Sequence, residues 1–212
     1  MKLTRSRPIK YLLVGLINCL FAFKASGQLI INKNLKLLSN ETSVEKFVTA
    51  NNFDYALVVW SNSNWSSINE QFSCLIKQNN TWYITKILSP TVSGPPELAP
   101  LIIKQIKLSK IQADSLINIL KPDSAFRYSE WQFANLPDTC GYIKNGKRTG
   151  IYGIHDAGTY HLVELSNKKT KTLRFYAATQ YLYTCYPHIP EFGILQNFVN
   201  TCTKLWKATD NL

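Results

Sequence analysis

Residues 72–88, FSCLIKQNNTWYITKIL, decide how the rest of the chain is read. Two strand-like runs flank Gln78-Asn79-Asn80-Thr81, and asparagine tolerates the positive φ that a tight turn demands. The stretch therefore predicts a β-hairpin, the seed of an antiparallel sheet. Just upstream, ALVVW at 56–60 is short, apolar and β-branched, which marks a buried strand. Further upstream, Ser43 to about Ala50 predicts a short helix, with Ser43 as its cap and Phe47 and Val48 turned inward.

Downstream of the hairpin, SPTVSGPPELAP at 89–100 holds four prolines and a glycine. Such a stretch sustains neither a helix nor a central strand, so it predicts a long loop between two halves of one domain. The second half begins with LIIKQIKL, followed by SKIQADSLINILKP at 109–122, whose helix is signposted at both ends. Ser109 and Gln112 have capping-box spacing, Ala113, Leu116, Ile117 and Leu120 fall at helical intervals, and Pro122 blocks continuation. Asp123 to Asp138 mixes aromatics with turn residues and matches neither period.

Three further strand-like runs follow, at about 148–155, 159–166 and 171–177. Their short connections, Asp156-Ala157-Gly158 and Asn167-Lys168-Lys169-Thr170, predict an antiparallel three-strand meander. Pro190 and Glu191 then open a helix ending near Trp206, with Leu195, Val199, Cys202 and Trp206 on one apolar face. The expected fold class is α+β: an antiparallel sheet, made of the hairpin and the C-terminal meander, covered by a few helices that include a C-terminal amphipathic one.

The N-terminus reads as an address. MKLTRSRPIK is basic and acid-free, YLLVGLINCLFAF supplies about thirteen mostly apolar residues, and KASGQ places small residues at Ala25 and Gly27. That is the pattern of an export signal cleaved after Gly27, with an apolar run too short to span a bilayer as a stable helix. Two other readings compete, an uncleaved membrane anchor and a lipid anchor at Cys19. For the lipid anchor Asn18 is a poor fit, and the apolar run continues past Cys19. The expected product is one domain, residues 28–212, in the periplasm or outside the cell.

Cleavage changes the charge. The signal holds five of the 24 basic residues and none of the 13 acids, so the remainder carries 19 minus 13, or +6, against +11 for the whole chain. Basic clusters such as Lys144, Lys147 and Arg148, or Lys168, Lys169 and Lys171, sit in turn-like sequence and read first as solvated turns, and second as a site for an anionic envelope partner. No nucleic-acid-binding module is recognisable.

Four cysteines remain after position 27: Cys74, Cys140, Cys185 and Cys202. An even number in an oxidising compartment predicts at least one disulfide, and spacing alone leaves all three connectivities open. A second reading has a single bridge and two buried free thiols, because Cys74 and Cys202 lie in apolar-patterned segments. No pair has Cys-x-x-Cys spacing, which disfavours a redox motif or zinc knuckle.

Candidate chemistry centres on GIHDAGTYH, 153–161. If Asp156-Ala157-Gly158 is a three-residue hairpin loop, His155 lies across from Thr159 and Gly153 across from His161. Both histidines then share a face as diagonal neighbours, about 7 to 8 Å apart, near enough to share a ligand. Val163 and Leu165 continue that face, and Asp156 is most simply a turn residue. A metal would want a third ligand, for which only His188 and Glu191 stand out. Cys185 and His188 form a weak Cys-His pair, and Glu130-Trp131 is the first choice for a carboxyl beside sugar-stacking aromatics, although core or rim packing is the first reading of those aromatics. Glycosylation-type triplets at Asn40, Asn64 and Asn79 are assigned no role.

No nucleophile elbow, zincin helix, phosphate loop or dinucleotide fingerprint occurs, and no cofactor is expected. Two readings of function follow. The first is a non-enzymatic exported module that binds an envelope protein or glycan through exposed aromatics and a mildly basic surface. The second is a small hydrolase, metal-assisted or not, that uses His155, Asp156 and His161.

Overall fold

The computed structural model describes residues 28–33, 35–62, 69–90, 100–126, 139–144, 147–153, 158–180, 182 and 192–212. Helix α1 (Glu41–Ala50) precedes strand β1 (Tyr55–Ser61) and the hairpin β2 (Asn69–Gln78) and β3 (Thr81–Pro90). Strand β4 (Ile102–Leu108), helix α2 (Lys110–Leu120) and the short α3 (Pro122–Ala125) follow. Then come β5 (Thr139–Lys144), β6 (Lys147–Gly153), β7 (Thr159–Ser166), β8 (Lys169–Tyr176) and the C-terminal helix α4 (Phe192–Asp210). Six strands form one antiparallel sheet in the order β4-β3-β2-β1-β7-β8. The fold is α+β.

The hairpin forms about its two asparagines. Gln78 pairs with Thr81, and Asn79 and Asn80 take φ of 49° and 59°, the left-handed values that asparagine accepts more readily than most residues. Its strand β2 pairs with β1, whose residues Ala56 to Trp60 are all buried. An apolar strand of that kind needs a neighbour on each edge and a layer on each face, and it has all four. On one face α1 packs Val44, Phe47 and Val48 against Val58, Cys74, Ile76, Val163 and Leu165. On the other, α4 packs Leu195, Phe198, Val199, Cys202 and Leu205 against Leu57, Val59, Leu75, Leu162 and Leu173.

The C-terminal helix thus docks as a lid through the apolar stripe expected of it. Trp206 lies at the rim, partly buried, with its ring edge-on to Tyr160 at 5.0 Å. Polar tethers fix the helix at both neighbours. Thr201 Oγ1 donates to the Leu120 carbonyl at 2.6 Å, and Ser73 and Thr209 hydroxyls meet at 2.6 Å inside the core. Since Thr209 gives its own proton to the Trp206 carbonyl, Ser73 is the donor to Thr209.

Helix ends follow local chemistry. Ser109 and Gln112 form the capping box, and Lys121, at φ 47°, ends α2 in the left-handed conformation before Pro122 opens α3. At α1 the cap is Asn40, whose side chain accepts from the Ser43 amide. Ser43, the expected cap, instead accepts from Leu38 N–H and donates to the Lys36 carbonyl, holding the incoming chain against the helix.

The topology corrects one expectation, and the core decides between the two readings of Cys74 and Cys202. The three-strand meander is a two-strand one: β7 pairs with β8, whereas β6 pairs with β5 in a separate ribbon. A strand has only two edges, and those of β7 are taken by β8 and by β1, the most apolar strand of the chain. Cys74 and Cys202 form no disulfide. Both thiols are free and fully buried, and they face opposite cores across the sheet. Burial raises both thiol pKa values strongly, because a thiolate there loses its hydration. Cys140 lies in β5, and its side chain, like all of Cys185, lies outside the described residues.

Candidate functional site around His161

Strand alternation turns His161, Val163 and Leu165 toward α1, and His161 is only 6% exposed. Its register neighbours are Trp60 on β1 and Arg174 on β8. The imidazole lies flat on the Trp60 indole, with centroids 4.6 Å apart and planes 5° from parallel. Trp60 in turn tilts against Phe72 at 5.8 Å. The histidine is therefore part of an aromatic column within the sheet's α1 face.

Both ring nitrogens are engaged. Nδ1 lies 3.3 Å from Glu41 Oε1, and Nε2 lies 3.2 Å from the Asn62 side-chain nitrogen. The same Asn62 nitrogen donates to the Ser39 carbonyl at 3.3 Å, which fixes the orientation of the amide. An amide nitrogen can only donate, so Nε2 accepts and Nδ1 carries the proton given to Glu41. Glu41 is in the first turn of α1, where a carboxylate also complements the helix dipole, and its Oε1 is 3.9 Å from Arg174 Nε. One turn later Glu45 accepts from Thr172 Oγ1 at 2.7 Å, so two acids of α1 latch onto β7 and β8.

A glutamate holding an imidazole by Nδ1 is half of a general-base arrangement. The other half is absent in kind, because an amide donor occupies Nε2, where a nucleophile would present its proton. The Nε2 lone pair that would bind a metal is engaged by the same donor. Among the described residues no group of three or more His, Cys, Asp or Glu is gathered closely enough to hold a metal ion.

The hairpin geometry expected for the histidine pair is corrected as well. Gly153 pairs with Thr139, and the positions opposite His161 belong to Trp60 and Arg174. His155 and Asp156 lie outside the described residues, as do Glu130, Trp131, His188 and Glu191. The partners His161 does have, Glu41 and Asn62, are 120 and 99 residues away in sequence. No local spacing signals such contacts.

Away from this network the surface is marked by aliphatic side chains. Ile30, Leu38, Ile102, Ile106, Ile111 and Ile119 are exposed, and among the described large hydrophobics Tyr176 is the one exposed aromatic, at 45%. Beside β4, a groove of about 530 Å³ lies between residues 28–33 and the side chains of Ile103 and Gln105. Another, of about 520 Å³, lies where Phe53 and Asp54 approach Leu165 and Lys168. Comparison with protein-family models, curated proteins and solved structures finds no match to this chain.

Proposed function

We propose that this chain is an exported, non-enzymatic module that binds a partner at the cell envelope. The observation that carries the reading is the exposed aliphatic surface beside the end strand β4, where Ile102 and Ile106 are 50% and 52% exposed. Apolar side chains grouped on one exposed face mark interaction surfaces, and Ile102 and Ile106 share a face with the partly exposed Leu88, which pairs with Ile102. Their aliphatic character favours a polypeptide over a glycan, since sugars are gripped by the flat faces of aromatic rings. The double engagement of His161 supports the same side, because it leaves that imidazole as a packing element.

Export rests on the basic, apolar and small-residue pattern of the first 27 residues. Secretion of the full chain from a bacterial host, followed by N-terminal sequencing, tests it; the product is expected to begin at Gln28. The competing hydrolase reading is tested by metal analysis of protein purified without chelator. The expected result is no stoichiometric metal. Stoichiometric zinc that disappears in His155→Ala would overturn the non-enzymatic reading in favour of a metal-assisted hydrolase.

A further inference from the structure

Strand β4 ends the six-stranded sheet, and none of the described residues pairs with its outer edge. Its seven residues present a row of backbone donors and acceptors about 20 Å long at the usual rise per residue. On the α4 side of the sheet β4 carries Ile102, Lys104 and Ile106, all exposed, next to Lys86 and Leu88 of β3. On the α1 side it carries Ile103 and Gln105, which line the groove of about 530 Å³. An edge that no described residue pairs, two isoleucines flanking a lysine on one face and a side-chain groove on the other are the parts from which strand-addition sites are built.

The charge selects the occupant. Among the described residues from Thr81 to Ala113 there are four lysines, Lys86, Lys104, Lys107 and Lys110, and no acid. A second copy added edge to edge would bring Lys104 and Lys107 of each chain into one short ribbon, where like charges repel. An acidic strand would meet them favourably. We propose that the β4 edge binds an extended acidic polypeptide segment by strand addition, with an acid between two β-branched residues at alternate positions. The acid faces Lys104, the β-branched residues cover Ile102 and Ile106, and a side chain of opposite parity enters the groove at Gln105. This deepens the reading of the chain as a non-enzymatic binding module and rests on it.

The test uses the protein from residue 28 to 212 and a fluorescein-labelled peptide, Glu-Val-Thr-Glu-Val-Val flanked by Gly-Ser, read by anisotropy. Binding is expected to weaken at least tenfold in Lys104→Glu/Lys107→Glu, with thermal unfolding of the variant confirming that it folds, and at least tenfold when lysine replaces both glutamates of the peptide. Two N-methylated peptides separate strand addition from simple charge attraction. Methylation of the residues whose N–H groups face β4 should abolish binding, and methylation of the alternate set should leave it within twofold. Equal tolerance of both sets would overturn strand addition. Sedimentation showing a dimer that the peptide does not dissociate would assign the edge to a second copy, and lysine-dependent binding to phosphatidylserine vesicles that the peptide does not compete would assign it to a membrane surface; either overturns the proposal. Failure to bind peptide in metal-free protein sinks the strand addition alone, whereas stoichiometric zinc sinks the non-enzymatic reading whatever the peptide does.

Discussion

Replacing His161 separates packing from hydrogen bonding at a buried polar point of the sheet. His161→Ala removes a ring that is 6% exposed and stacked on Trp60, together with the bonds to Glu41 and Asn62. The lost stacking is worth about 0.5–1.5 kcal/mol, and the vacated volume adds a cavity cost, so the change should destabilise by about 3 kcal/mol. His161→Phe keeps a ring of similar size on Trp60 and loses only the polar contacts. Glu41 is 29% exposed by side chain and Asn62 is exposed, so water can take both orphaned groups, and the cost should fall to about 1 kcal/mol. Urea unfolding followed by tryptophan fluorescence resolves the difference. At a slope of about 2 kcal/mol/M the midpoint moves by about 1.5 M for alanine and 0.5 M for phenylalanine. Equal losses in the two variants would refute the claim that the ring acts chiefly by packing, and an unchanged midpoint in both would leave His161 without a structural role.

Other changes have equally definite outcomes. Iodoacetamide should leave Cys74 and Cys202 unmodified in the native protein and modify both in urea without added reductant, as read by peptide mass mapping, because burial keeps both thiols protonated. Leu205→Ala, at a fully buried site, should destabilise by about 2–5 kcal/mol, and truncation of the rim residue Trp206 should destabilise less in the same thermal assay. Asn80→Gly should leave stability unchanged or raise it by up to about 1 kcal/mol, while Asn80→Val should lower it, since φ there is 59° and β-branched residues resist that value. Lys121→Gly, at φ 47° on an exposed helix end, should likewise be neutral or stabilising by up to about 1 kcal/mol in thermal unfolding.

What could be read from the chain was what short-range chemistry controls. The asparagine turn at 79 and 80, the Ser109–Gln112 box and the apolar stripe of α4 each follow from residues a few positions apart, and each is present. Strand pairing at long range was not legible in the same way. Periodicity marks about 148–155 and 159–166 as strands but does not say which edge each joins, and the unusually apolar β1 claims an edge of β7 from a hundred residues upstream. The same competition set His161 opposite Trp60 and Gly153 opposite Thr139. The orienting partners of His161 come from α1 and from the residue after β1, so the site is a product of topology. For the cysteines it was the apolar patterning around Cys74 and Cys202, and not their even number, that pointed to two buried thiols on opposite faces of the sheet.

Hydrogen exchange along β4 tests the central claim most directly. In an end strand the amides facing the neighbouring strand are bonded and unpaired outward ones exchange quickly, and among the described residues none pairs with the outer edge of β4. Residues 102–108 should therefore show a fast-exchanging half that becomes slow when the acidic peptide is added at saturation, while the amides of 41–45 and 159–163 around His161 stay as they were. Unchanged exchange in 102–108 at saturating peptide, or protection that appears around His161 instead, would contradict the assignment of the β4 edge as the binding surface.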